Sequence, residues 1–167
     1  MSELDDIFPM NQSKQNMTEE EENAKIEQIL DESENAGGEN AASREARRKS
    51  LMNKLYSIVT VSYPASVLFE TEALLGDKMV IKLNINHPYY QKVIDPLCGE
   101  ALKADSAEES VEKAKVRDAI MLLLLSYVKA KSVLKDTDTN RLLFGQLENQ
   151  WGSILSAVSS KIDSAEM

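Results

Sequence analysis

Residues 64–97, PASVLFETEALLGDKMVIKLNINHPYYQKVIDPL, restrict the fold more than any other stretch, because strand periodicity, a turn and a helix start follow one another without a gap. Val67, Phe69, Thr71 and Ala73 fall on one face of an extended segment, and Met79, Ile81, Leu83 and Ile85 on one face of the next. Between them, Leu75, Gly76, Asp77 and Lys78 supply a turn whose glycine has the backbone freedom a short hairpin connection needs. The pattern predicts an antiparallel hairpin over residues 66–86 with one covered face. Two strands are marginal alone, so helices must lie on the apolar side. Pro88 suits a first helical position, and Asn86 or His87 stands where a cap belongs. The helix that follows has Tyr89, Tyr90, Val93, Ile94 and Leu97 on its apolar side and is expected to end at Pro96 and Gly99.

Charge divides the chain upstream of this stretch. Residues 1–40 hold 12 acidic and 2 basic residues, a net of −10, and the remainder holds 16 acidic and 17 basic, a net of +1, so the formal charge of −9 belongs to an N-terminal arm. Within the arm, residues 1–17 have too little to bury to order themselves. Thr18 followed by Glu19, Glu20, Glu21 and Glu22 is a capped helix start, continued by Ile26, Ile29 and Leu30. Gly37 and Gly38 stop it, and residues 36–40 read as a linker to a helical domain over residues 41–167. That domain opens with a helix whose apolar face is Leu51, Leu55 and Ile58 with Met52 and Val59, running to the break at Tyr63 and Pro64.

After the hairpin the chain reads as helix upon helix. Ser106 with Glu108 and Glu109 opens one that runs to about Leu134, and its middle, residues 120–125, is apolar all round, the mark of a helix surrounded by protein. The apolar run AIMLLLLSYV, residues 119–128, is about half the roughly 20 residues a membrane span requires. A last helix begins near Thr137 or Thr139 and shows Leu143, Leu147, Trp151, Ile154, Val158 and Ile162 at spacings of four and three. The expected fold is therefore α+β and predominantly helical, one hairpin packed with three or four helices and carrying an acidic arm that is disordered or extended.

Few residues here suit chemistry. Cys98 is the only cysteine, which excludes an internal disulfide framework and a multi-cysteine zinc site and suits a reducing, cytoplasmic setting. The acidic start, where a secretory leader would be basic, fits the same expectation. His87 is the only histidine; without a nucleophile or a second ligand it reads as a structural cap, together with Asn86 and Pro88, rather than as an acid, base or ligand. No catalytic residue, metal or cofactor is expected. For partner binding the candidates are Ile7 and Phe8, anchors of a short acidic motif, with Tyr89, Tyr90 and Trp151; a tryptophan on a terminal helix stripe is also what a homodimer seam would use. Arg44, Arg47, Arg48, Lys49 and Lys54 put five cations into eleven residues and are candidates for phosphate contacts, weighed against a solvated face that meets the acidic arm.

One resemblance is carried by MVIKLNINHPYYQKV. Leu83, Asn84, His87, Pro88, Tyr89 and Tyr90, with Pro64, Ser66 and Phe69 upstream and Trp151 in the last helix, resemble the C-terminal part of bacterial and phage GHKL-type ATP-binding proteins. The similarity spans roughly residues 44–160, and its distinctive part is about ten residues long. The magnesium-binding asparagine helix, the Asp-x-Gly-x-Gly loop and the glycine-rich lid of such ATPases have no counterpart among the six glycines here. The resemblance therefore implies a module without its motor, a non-enzymatic protein-interaction or homo-oligomer assembly unit. The alternative is a nucleic-acid-associated factor, acting through residues 44–54 or as an acidic DNA mimic through residues 1–40.

Overall fold

The computed structural model describes residues 17–37, 41–64, 66–103, 111–135 and 137–161. Their elements are α1 (Glu19–Gly37), α2 (Ala41–Asn53), β1 (Tyr56–Val61), β2 (Phe69–Ala73), β3 (Met79–Asn84), a π-helical turn (Tyr90–Ile94) running into α3 (Asp95–Lys103), α4 (Val111–Ser132) and α5 (Asp138–Ser160). The protein is α+β and predominantly helical. The start of α1 is a reciprocal capping box: the Glu21 N–H donates to Thr18 Oγ1 at 3.2 Å, and the Thr18 N–H donates to Glu21 Oε2 at 2.9 Å. Thr137 caps α5 in a similar way, accepting from the Asn140 N–H at 3.1 Å.

The hairpin forms as its alternation requires, with Phe69 opposite Leu83 and Ala73 opposite Met79. Its turn uses positive φ at both Gly76 (67°) and Asp77 (59°), and the Leu74 N–H donates to Lys78 O at 2.8 Å. The sheet has a third strand. Tyr56–Val61, expected to continue the preceding helix, instead pairs in parallel with β3, Tyr56 against Met79 through Val61 against Asn84, in the order β1-β3-β2. Leu51, Leu55 and Ile58 fit a helical period, but Ile58, Val59, Thr60 and Val61 are β-branched in an unbroken run. A parallel strand covered on both faces has that signature.

Both faces of the sheet are in fact covered. Tyr56, Phe69, Met79, Ile81 and Leu83 pack against Tyr90, Ile94, Cys98 and Leu102 and against Leu124, Leu125 and Val128 of α4. On the other side Val59, Val61, Leu74 and Val80 pack against Ile26, Ile29 and Leu30 of α1 and Leu51 of α2. The helix assigned by sequence to the acidic arm is thus one wall of the core. All six residues of β3 are buried, including Lys82 at 5% exposure.

The helix that follows β3 breaks at Cys98 (φ −151°, ψ 15°), between Pro96 and Gly99 where its end is expected, and helical structure resumes to Lys103. Pro96 directly follows the π-helical turn, whose closing N–H, that of Asp95, donates to Tyr90 O. One further expectation is corrected. The middle of α4 is not surrounded by protein: Leu124 and Leu125 are buried, while Leu122 and Leu123 are 52% and 71% exposed.

Candidate interaction surface

The end of β3 holds three remote parts of the chain together through side-chain amides and an imidazole. The Asn84 Nδ2 group donates to Val67 O at 3.2 Å, and the Asn86 Nδ2 group to Ser62 Oγ at 2.9 Å, so the crossover between β1 and β2 is fixed from the neighbouring strand end. His87 is buried. Its Nδ1 accepts the Tyr89 N–H at 3.1 Å, capping the helix that starts at Pro88, which leaves Nε2 to donate to Gly152 O at 2.9 Å. Both ring nitrogens are occupied by backbone, the arrangement of a neutral structural histidine.

That bond docks α5. A Cβ on Gly152 would lie inside contact distance of Ser66 O and 3.0 Å from Val67 Cα, so the helix approaches the crossover as closely as a backbone can. Trp151 and Tyr127 both meet the edge or face of Phe69, at centroid distances of 6.3 and 6.0 Å and near-perpendicular planes. Glu148 accepts from Lys131 Nζ at 2.6 Å and from Tyr127 O–H at 3.1 Å, and Lys92 Nζ donates to Ser160 O at 3.0 Å, a cation on the negative end of α5. Burial, and then Glu148, push the Tyr127 phenol up to about 12.

Gly152, Glu148 and one edge of Trp151 are used in this docking. The adjacent stripe, Leu143, Leu147, Trp151, Ile154 and Val158, remains about half exposed, with Trp151 at 43%. Its Leu147 and Trp151 line a groove of about 580 Å³ between α4 and α5 together with Phe69, Leu123, Tyr127 and Glu148. Contiguous apolar surface beyond a few hundred Å² is rare on a protein that works alone.

The opposite side of the molecule is electrostatic. Arg44 is bound by Glu34 and Glu27, each at 2.7 Å, and by Asp31 at 2.9 Å, while Arg48 pairs with Glu27 and Arg47 with Ser33. These contacts, the Glu34 and Glu27 hydrogen bonds first, hold the Arg44 guanidinium above its ordinary range. The basic helix therefore meets the acidic one, as one of its two sequence readings has it. Lys49 and Lys54 are exposed. Deeper in, Lys82 reaches Glu32 at 3.1 Å, Glu72 at 3.4 Å and Glu70 at 3.8 Å. Burial pulls its ammonium down, but the three carboxylates outweigh it and the net shift is upward.

The remaining candidates fall as follows. Ile7 and Phe8 lie outside the described residues. Tyr90 is core rather than surface, at 3% exposure; burial, followed by Asp95 and Cys98, raises its phenol to about 12, and its hydroxyl has no partner among the described residues. It offers nothing to a partner, whereas Tyr89 is half-buried beside the same cluster. Cys98 is buried, and that burial pushes its thiol up, away from a reactive thiolate. Among the described residues, no group of three or more His, Cys, Asp or Glu is placed to hold a metal, and no helix is long and apolar enough to cross a membrane. Sequence reading placed Leu122 and Leu123 inside the protein and passed over Lys82 and Gly152. For the exposed face a signal existed: residues 149–160, NQWGSILSAVSS, contain no charged residue. Compared with known protein families, with curated proteins and with solved structures, the chain matches none of them.

Proposed function

We propose that this protein is a non-enzymatic interaction or assembly module that binds protein through the apolar face of α4 and α5. The observation that carries this is the stripe of half-exposed Leu143, Leu147, Trp151, Ile154 and Val158 beside Leu123. Burying such chains is worth about 25 cal/mol per Å² of apolar area removed from water, and here that gain is still to be taken. Aromatic and aliphatic anchors without charge are also what the centre of an interface contains. Catalysis finds little support, since both nitrogens of His87 are engaged with backbone and Cys98 is sealed in the core. A nucleic-acid role through residues 44–54 is disfavoured by the carboxylates already seated on Arg44 and Arg48. The resemblance to the C-terminal part of GHKL-type proteins accords with a module that lacks a nucleotide pocket, and one buried cysteine accords with a reducing, cytoplasmic setting.

A photoreactive benzoylphenylalanine in place of Leu147 tests this in native lysate. Irradiation is expected to give a protein adduct at that position and none with the same group at Lys49, which is exposed on the far side of the sheet. Equal labelling at the two positions, or none at Leu147, contradicts the proposal.

A further inference from the structure

The exposed stripe of α5 has the properties of a surface that pairs with itself. Leu147, Trp151, Ile154 and Val158 recur at intervals of four, three and four, the a/d spacing of a helix–helix seam. Between Asn149 and Ser160 the helix bears no charge, so it presents nothing by which a charged partner is recognised and nothing that repels an identical copy. A two-fold axis requires one patch that is complementary to itself, which an uncharged ridge beside a mainly apolar groove provides, the acid in that groove, Glu148, being paired with Lys131 at 2.6 Å within the same copy: the ridge of one copy enters the groove of the other. Six large apolar side chains, Leu123 and the five of the stripe, at roughly half exposure or more make a patch approaching the roughly 800 Å² that each partner contributes to a standard interface. The groove of about 580 Å³ between Leu123, Tyr127, Leu147 and Trp151 has room for large side chains from that second ridge.

We infer that the occupant of the α4–α5 face is a second copy of this chain, joined about a two-fold axis close to Trp151. The inference rests on the interaction reading above and narrows it to one partner. Helices α4 and α5 of the two copies form a four-helix layer, and the ionic α1–α2 side of each copy stays in water.

Sedimentation equilibrium of the full chain is the test. The expected mass is twice the 18.6 kDa of one chain at tens of micromolar. Leu147→Glu and Ile154→Glu are each expected to weaken association by about 30-fold or more, the effect of losing a central anchor. Leu142→Glu, on a different side of α5, is expected to leave it unchanged. Each substituted side chain is more than half exposed, so an unaltered far-UV spectrum is expected and identifies the effect as one of association. A single-chain mass at 200 micromolar overturns the inference, as does a dimer indifferent to both glutamates. If the mass is single while the crosslink at position 147 reaches a different protein, the dimer fails and the interaction reading stands; a single mass with no adduct ends both.

Discussion

Lys82→Ala is expected to destabilise the protein by about 2–3 kcal/mol, measured by urea unfolding at pH 7. Removing one partner of a buried ion pair costs about 3–5 kcal/mol. The figure is reduced here because Glu32, Glu70 and Glu72 are a third to a half exposed and gain water when the ammonium leaves. Lys82→Met separates charge from packing, since it keeps most of the stem, and is expected to recover part of the loss. The pH dependence has a definite sign. An ammonium held above its ordinary range contributes fully at neutral pH, and that contribution is lost only as pH rises beyond the ordinary lysine range, through the raised folded-state value. The gap between wild type and Lys82→Met should therefore narrow in strong alkali. A gap that is absent at pH 7 would mean that the three carboxylates do not depend on this cation.

Gly152→Ala is expected to cost about 2 kcal/mol or more, although alanine is the better helix former by about 1 kcal/mol. The added methyl meets Ser66 O and Val67 Cα, both backbone, and neither moves without shifting the crossover that Asn84 and Asn86 hold. Gly145→Ala is the matched comparison. It lies in the same helix with nothing within 4 Å of the added carbon, and is expected to stabilise by about 0.5–1 kcal/mol. Opposite signs at the two glycines locate the close approach at Gly152. Equal stabilisation would show that α5 does not seat against the crossover.

How much of this was readable beforehand depends on which kind of interaction decides each element. The hairpin was legible because Gly76 and the alternation around it act locally, and the caps at Thr18 and Thr137 because a hydroxyl before a helix start satisfies N–H groups three residues away. β1 was not, since Leu51, Leu55 and Ile58 satisfy a helical period and only pairing with β3 makes Tyr56–Val61 extended. The placement of α1 was hidden by its charge. Its acids looked like a solvated tail, yet Glu22 accepts from the Leu75 N–H at 3.1 Å and pairs with Lys78 at 2.6 Å, while Ile26, Ile29 and Leu30 face the sheet.

The candidate surface divides in the same way. Trp151 and its stripe were visible in the spacing of α5, but an all-apolar run such as residues 120–125 has two explanations, burial within the chain or a face that another molecule covers. Sequence alone does not choose between them, and the structure leaves Leu122 and Leu123 exposed. The close approach at Gly152 leaves no mark in the sequence, because it depends on a loop more than eighty residues away. His87 carried the strongest appearance of a catalytic group and proves to be the pin between the end of β3 and α5.

The central claim is that protein covers the α4–α5 face, and Trp151, the only tryptophan, reports on it directly. Acrylamide quenching of its emission is the decisive measurement, made on the chain at assembly concentration, on the complex with any protein captured at position 147, and on Leu147→Glu. The account predicts a blue-shifted, weakly quenched tryptophan in the assembled state and a red-shifted, readily quenched one in the variant. Identical emission and quenching in every sample, at every concentration, would contradict it.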